Sequence, residues 1–140
     1  MTKEFIPYQQ ALELKKLGFD EPCIGGYQSQ KATLFSDIPH LLKGNIHKNS
    51  EGTFTTAPLY QQAFRWFREK YNLQVYIDFY HKDSYFYKIK SQVGKEISNT
   101  TEDVILQGTP VFPRNYEEAE LACLIKLIEI VKDGKSKSNS

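Results

Sequence analysis

The sequence predicts an α+β fold: a two-layer domain in which an antiparallel sheet of four or five strands packs against three helices, ordered α-ββ-α-ββ(β)-α. Three observations lead there. The tetrad Tyr-[Gln/Glu]-[Gln/Glu]-Ala occurs at Tyr8–Ala11, Tyr60–Ala63 and Tyr116–Ala119, each with a proline just upstream (Pro7, Pro58, Pro113). Each tetrad opens a run of helical periodicity that stops at a residue tolerant of left-handed backbone: Gly18, Asn72 and Gly134. Between these runs lie short strand-like stretches bounded by turn residues.

The first helix is expected to begin at Pro7, whose fixed φ suits the first helical position. Ala11, Leu12, Leu14 and Leu17 form its apolar stripe, and Gly18 closes it with Phe19 as the accompanying apolar contact. Cys23 to Gln28 reads as a strand, with Gly25-Gly26 marking a bulge or a close backbone approach. Ala32 to Phe35 is its expected hairpin partner. Asp37 to Leu42 reads as a turn or short helix, and the polar stretch Lys43 to Gly52 as a mobile loop.

Thr55 or Thr56 is expected to cap the second helix, with Pro58 in its first turn. Tyr60, Ala63, Phe64, Phe67 and Tyr71 then recur at spacings of three and four. Asn72 takes the role of Gly18, and Leu73 that of Phe19. The clearest hairpin follows: Val75 to Tyr80 and Tyr85 to Lys90 flank the turn His81–Ser84. Pairing Tyr80 with Tyr85 places Val75, Ile77, Phe79, Phe86, Lys88 and Lys90 on one face. Tyr76, Asp78, Tyr80, Tyr85, Tyr87 and Ile89 share the other. A further strand is expected at Asp103 to Leu106. The last helix runs from Tyr116 to about Lys132, with acidic residues in its first turns and Lys132 in its last. The polar segment 134–140 is expected to be disordered.

In each tetrad the alanine lets the helix approach its neighbours closely, and the glutamine or glutamate favours the helix while staying solvated. The repeat therefore reads as a helix-start signal. A site built from all three tyrosines would need the helix starts to converge, which the repeat alone does not require.

A chain of 140 residues suffices for one domain with one core, read as 1–133 plus the tail. Aromatic residues make up 14%, so rings build the core or an interface. Formal charge is +1, and the segment from Lys132 to Ser140 (three Lys, one Asp) carries +2, leaving the body at −1. That balance argues against a broad duplex-DNA-binding face. Two cysteines are too few for a disulfide framework, and Cys123 sits in the most apolar helix as a small buried hydrophobe. No signal-peptide apolar region opens the chain and no apolar run reaches bilayer length, so the expected compartment is the cytoplasm, without membrane association.

No constellation of catalytic type emerges. Gly25-Gly26 lacks nucleotide-loop spacing. His40, His47 and His81 have no paired metal-ligand spacing, and exposed loop positions account for them. Cys23 with a histidine, or Asp78 among tyrosines, would be the nucleophile or perturbed carboxylate of a small enzyme; burial and an ordinary hydrogen bond are the plainer readings. No cofactor or metal is expected. Two surfaces stand out: the tyrosine face of Tyr76, Asp78, Tyr80, Tyr85 and Tyr87, and the basic residues Arg65, Arg68 and Lys70 near Trp66. Such rings bury against another chain or stack on bases, and they also pack at the margin of their own sheet. Glu69 dilutes the basic group, and a solvated helix face is the plainer reading of Arg65 and Arg68.

The blocks EFIPYQQALELKKLGFDEPC, TAPLYQQAFRWFREKYNL and YEEAELACLIKLIEIVK resemble a recurrent set of small proteins encoded by gut Bacteroidales genomes, their prophages and phages. The resemblance carries no assigned activity and no site residues. It implies a small protein of a phage or mobile element acting in a bacterial cytoplasm. The expected function is that of a non-enzymatic accessory protein binding another protein, or a second copy of itself, through the tyrosine face. The alternative is single-stranded nucleic-acid binding by the same tyrosines with Arg65, Arg68 and the lysine tail.

Overall fold

A computed structural model describes residues 4–27, 48–51, 55–91, 96–99, 105–106, 109–110 and 112–138. The fold is α+β, and its elements follow the order read from the sequence. They gather into two compact units, Met1–Ala63 and Phe64–Ser140.

In the first unit, helix α1 covers Tyr8–Lys16. Pro7 precedes it in extended geometry (φ −66°, ψ 160°), and its carbonyl accepts the Ala11 N–H at 2.9 Å, so proline starts the helix from one position outside it. At the other end Gly18 has φ 99°. There Phe19 N–H donates to Leu14 O (2.9 Å) and Gly18 N–H to Lys15 O (3.1 Å), the doubled bonding that a left-handed glycine permits. Phe19 and Leu14 are both buried, completing the cap with apolar packing.

Strand β1 (Gly25–Tyr27) pairs antiparallel with β2 (Thr55–Ala57), Gly25 opposite Ala57 and Tyr27 opposite Thr55. This corrects the reading of Thr55 and Thr56 as a helix cap: both are buried strand residues. β-Branched side chains favour extended backbone, and Pro58 biases Ala57 the same way. The expected partner strand Ala32–Phe35 and the turn at Asp37–Leu42 lie outside the described residues. Ile6 N–H donates to Pro58 O (3.0 Å) and Phe5 bridges Leu59, so the leads into the first two helices run side by side. Gly25 is the close approach that its sequence suggested. A Cβ there would sit 2.7 Å from Phe5 Cε1 and 3.2 Å from Ala57 O. Because Phe5 is itself buried, Gly25→Ala is expected to destabilise the protein by about 1–3 kcal/mol in urea unfolding.

Helix α2 covers Tyr60–Tyr71. It ends where Asn72 takes φ 59° and its N–H donates to Arg68 O at 3.1 Å. Near that end Trp66, Phe67 and Tyr71 form a ring cluster with centroids 5.1–6.0 Å apart. Among the described residues the buried Tyr71 hydroxyl finds no hydrogen-bond partner. Tyr71→Phe is therefore expected to raise stability by about 1 kcal/mol, seen as an upward shift in the urea midpoint.

The second unit holds strands β3 (Leu73–His81), β4 (Ser84–Ser91) and β5 (Glu96–Asn99) in the order β3-β4-β5, all antiparallel. β5 was not anticipated. The strand expected at Asp103–Leu106 is described only at β6 (Ile105–Leu106), which pairs with β7 (Thr109–Pro110) apart from the main sheet.

Helix α3 covers Tyr116–Ser138. Asn115 caps it: its Oδ1 accepts the Glu118 N–H (2.8 Å), and Glu118 Oε2 accepts the Arg114 N–H (2.7 Å). Ala119, Cys123, Leu124, Leu127, Ile128 and Val131 are buried along one stripe, and the helix packs on β3 and β4. It runs past Lys132, where the sequence predicted its end. Gly134 keeps helical rather than left-handed backbone with open space about its α-carbon, and one glycine costs a formed helix only about 1 kcal/mol.

Candidate functional site: the open face of the β3–β4 hairpin

The hairpin has a register that the sequence reading missed. Phe79 pairs with Tyr85, Ile77 with Tyr87 and Val75 with Ile89; a bulge between Phe79 and His81 restores the His81–Ser84 closure. Tyr80 is the extra residue, inserted just before the Lys82–Asp83 turn, where Asp83 takes φ 63°. The pairing of Tyr80 with Tyr85 expected above is thus off by one, and a one-residue slip exchanges the two faces of one strand relative to the other.

The five-residue tyrosine face is therefore corrected to two separate groups. Leu73, Val75, Ile77, Phe79, Tyr85, Tyr87 and Ile89 share one side, on which Tyr87 is 1% exposed and Ile89 fully buried. Gln74, Tyr76, Asp78, Phe86, Lys88 and Lys90 share the other. Tyr80 joins that second group through its ring, stacked on Phe86 at 4.4 Å and 28°. Tyr76 and Tyr80 are 51% and 55% exposed. Of the predicted site residues, Tyr76, Asp78 and Tyr80 come together on the open face. Tyr87 belongs to the core, and the half-buried Tyr85 lies against Phe79 (6.0 Å) and Tyr116 (6.3 Å). Its N–H donates to Pro113 O at 2.8 Å.

Lys88 and Lys90, placed by the sequence reading on the opposite face, are the residues that reading missed. Lys90 Nζ lies 5.2 Å over the Tyr76 ring and Lys88 Nζ 6.0 Å over Phe86. Lys88 also pairs with Glu96 of β5 at 3.8 Å. Asp78 accepts the N–H of its own neighbour Phe79 at 2.8 Å. Two cations thus face two carboxylates around three rings, a mixed-charge aromatic surface without net charge.

Arg65 and Arg68 are exposed on α2, but Trp66 beside them is buried and Lys70 lies over its ring at 5.0 Å, so the basic–aromatic patch lacks an accessible ring. Cys23 is buried, with its Sγ 3.5 Å from Glu21 O and 3.8 Å from Gln62 Oε1, and burial pushes its thiol up to about 12. A thiol held protonated at neutral pH is a poor nucleophile. His40 and His47 lie outside the described residues, and His81 is exposed. Among the described residues no cluster of His, Cys, Asp and Glu has the make-up of a metal site, and no helix is long and apolar enough to cross a membrane.

Burial also raises Tyr27, from an ordinary 10.0 to about 12, while its hydroxyl donates to Ile6 O at 2.7 Å. Both Tyr27 and Cys23 are raised above their unfolded values, so their contribution is intact below about pH 9 and lost as pH rises toward 12. Thermal unfolding followed against pH is expected to show the melting temperature falling through that alkaline window. Tyr27→Phe should flatten the upper part of the fall. Comparison of the chain with protein-family models, curated proteins and solved structures finds no match.

Proposed function

We propose that the protein acts by binding another protein through the open face of the β3–β4 hairpin, as a non-enzymatic accessory protein of a phage or mobile element inside its bacterial host. The observation that carries this reading is the exposure of Tyr76 and Tyr80, 51% and 55%, on a face whose cations and carboxylates balance. Exposed tyrosines with a mixed polar surround are the usual composition of a protein-binding surface. A single-strand binder places rings in a field of net positive charge, and here Asp78 and Glu96 offset Lys88 and Lys90.

Affinity capture from a host lysate, run beside fluorescence anisotropy with a labelled thymidine oligonucleotide at low salt, tests this. Wild type and the surface control Ile125→Ser should retain one host protein that Tyr76→Ser and Tyr80→Ser both lose, with no change in anisotropy. Retention of that protein by both tyrosine variants would count against the reading. Salt-dependent oligonucleotide binding that the same variants abolish would replace it with the nucleic-acid one.

A further inference from the structure

We propose that the outer edge of β3 is a dimerisation edge, paired antiparallel with β3 of a second copy of this chain about a two-fold axis at Tyr76. The phase of the backbone leads to this. In an antiparallel ladder each residue turns both its N–H and its C=O to the same side. Tyr85 N–H is taken by Pro113 O, so Tyr85 faces away from β3, and its partner Phe79 faces away from β4. Phe79 N–H is in fact held by the Asp78 carboxylate. Alternation then directs the N–H and C=O of Leu73, Val75 and Ile77 to the outer edge as well. Among the described residues β4 is the one strand beside β3, and these three N–H groups have no partner on the outer side.

The edge carries few of the usual defences, since its bulge lies beyond Phe79 and Asp78 is its one charged residue before His81. Leu73 to His81 contains no proline, glycine or lysine, and its ladder with β4 is regular from Leu73 to Phe79. The midpoint of that regular stretch is Tyr76. Two copies aligned there use the whole stretch. Val75 and the partner's Ile77 exchange backbone bonds, and Ile77 does so with the partner's Val75. Leu73 N–H reaches the carbonyl of the partner's Phe79, whose own N–H needs no partner because Asp78 holds it.

Side chains agree with this alignment. Gln74 falls opposite the partner's Asp78, so an amide donor meets a carboxylate with a free oxygen. Tyr76 falls opposite the partner's Tyr76, covering an exposed ring. Centring the axis on Val75 instead would set Gln74 against the partner's Tyr76 and shorten the ladder. Centring it on Ile77 would call on the Phe79 N–H that Asp78 already occupies. The Tyr76-centred pair merges two three-stranded sheets into one and joins their open faces. It does not rest on the partner proposed for those faces, and Tyr80→Ser should leave it unchanged.

The test uses the full chain. Directly opposed residues of a non-hydrogen-bonded pair have α-carbons about 4.5 Å apart, within disulfide reach. Tyr76→Cys is expected to form a covalent dimer under mild oxidation, while Gln74→Cys, which does not meet its own copy, stays monomeric on a non-reducing gel. Cys23 and Cys123 are buried and do not compete. In sedimentation velocity the wild type should carry a dimer that Tyr76→Lys, with two like charges across the axis, converts to monomer. A monomeric wild type together with no cross-link through Tyr76→Cys would overturn the proposal. So would a dimer that persists in Tyr76→Lys, or equal cross-linking from Gln74→Cys.

Discussion

Truncating Tyr87 to alanine is expected to destabilise the protein by about 3–5 kcal/mol, whereas Tyr76→Ala and Tyr80→Ala each cost about 1 kcal/mol. All three belong to one hairpin and one residue type, yet Tyr87 is 1% exposed and the other two 51% and 55%. Removing the Tyr87 ring empties a buried volume, and the surrounding side chains relax only in part. Loss of Tyr76 forfeits a cation–π contact with Lys90, and loss of Tyr80 a stack on Phe86. Urea unfolding of the three variants at one pH measures the contrast. Three equal losses would mean that the ring environments are not those described.

Asn49→Ala is expected to cost about 2–4 kcal/mol. Asn49 lies in a single 3-10 turn (Asn49–Glu51) yet is buried. Its Nδ2 donates to Phe19 O and its Oδ1 accepts the Thr56 N–H, both at 2.8 Å. One side chain thus joins the carboxyl end of α1 to strand β2, and nearby the Asp20 carboxylate accepts the Ser50 N–H. Truncation takes the acceptor from a buried N–H and a donor from Phe19 O, and an alanine offers nothing in exchange. The expected reading is a lowered urea midpoint with an unchanged slope, because the loss is local and the two-state transition survives.

The terminators were legible because their chemistry is local. Gly18 and Asn72 take the left-handed backbone their residue types suggest, and Phe19 and Leu73 are buried behind them. The tetrad alanines Ala11, Ala63 and Ala119 are likewise buried, as close helix packing requires. Asn49 was hidden inside a polar stretch whose composition reads as a loop, and its role depends on partners distant in sequence. Thr55 and Thr56 were misread because a threonine before a proline and a helix suits a cap as well as a strand.

The hairpin register failed for a sharper reason. Turn residues suggested that Tyr80 opposes Tyr85, and a bulge of one residue is invisible to turn chemistry. A signal was nevertheless present: that pairing sets Lys88 and Lys90 beside Val75, Ile77 and Phe79. Matching apolar to apolar instead aligns Val75 with Ile89 and Ile77 with Tyr87, the observed register. Hydrophobic consistency across the strands therefore outweighed the turn. The open face was half legible, in Tyr76, Asp78 and Tyr80, and its lysines were not.

The open face and the β3 edge both depend on that register. Cross-strand Hα–Hα nuclear Overhauser effects test it most directly, since such protons approach closely only in non-hydrogen-bonded pairs. The structure predicts cross-peaks joining Val75 to Ile89, Ile77 to Tyr87 and Phe79 to Tyr85. Cross-peaks joining Tyr76 to Ile89 and Asp78 to Tyr87 would contradict it and return Tyr87 to the face of Tyr76.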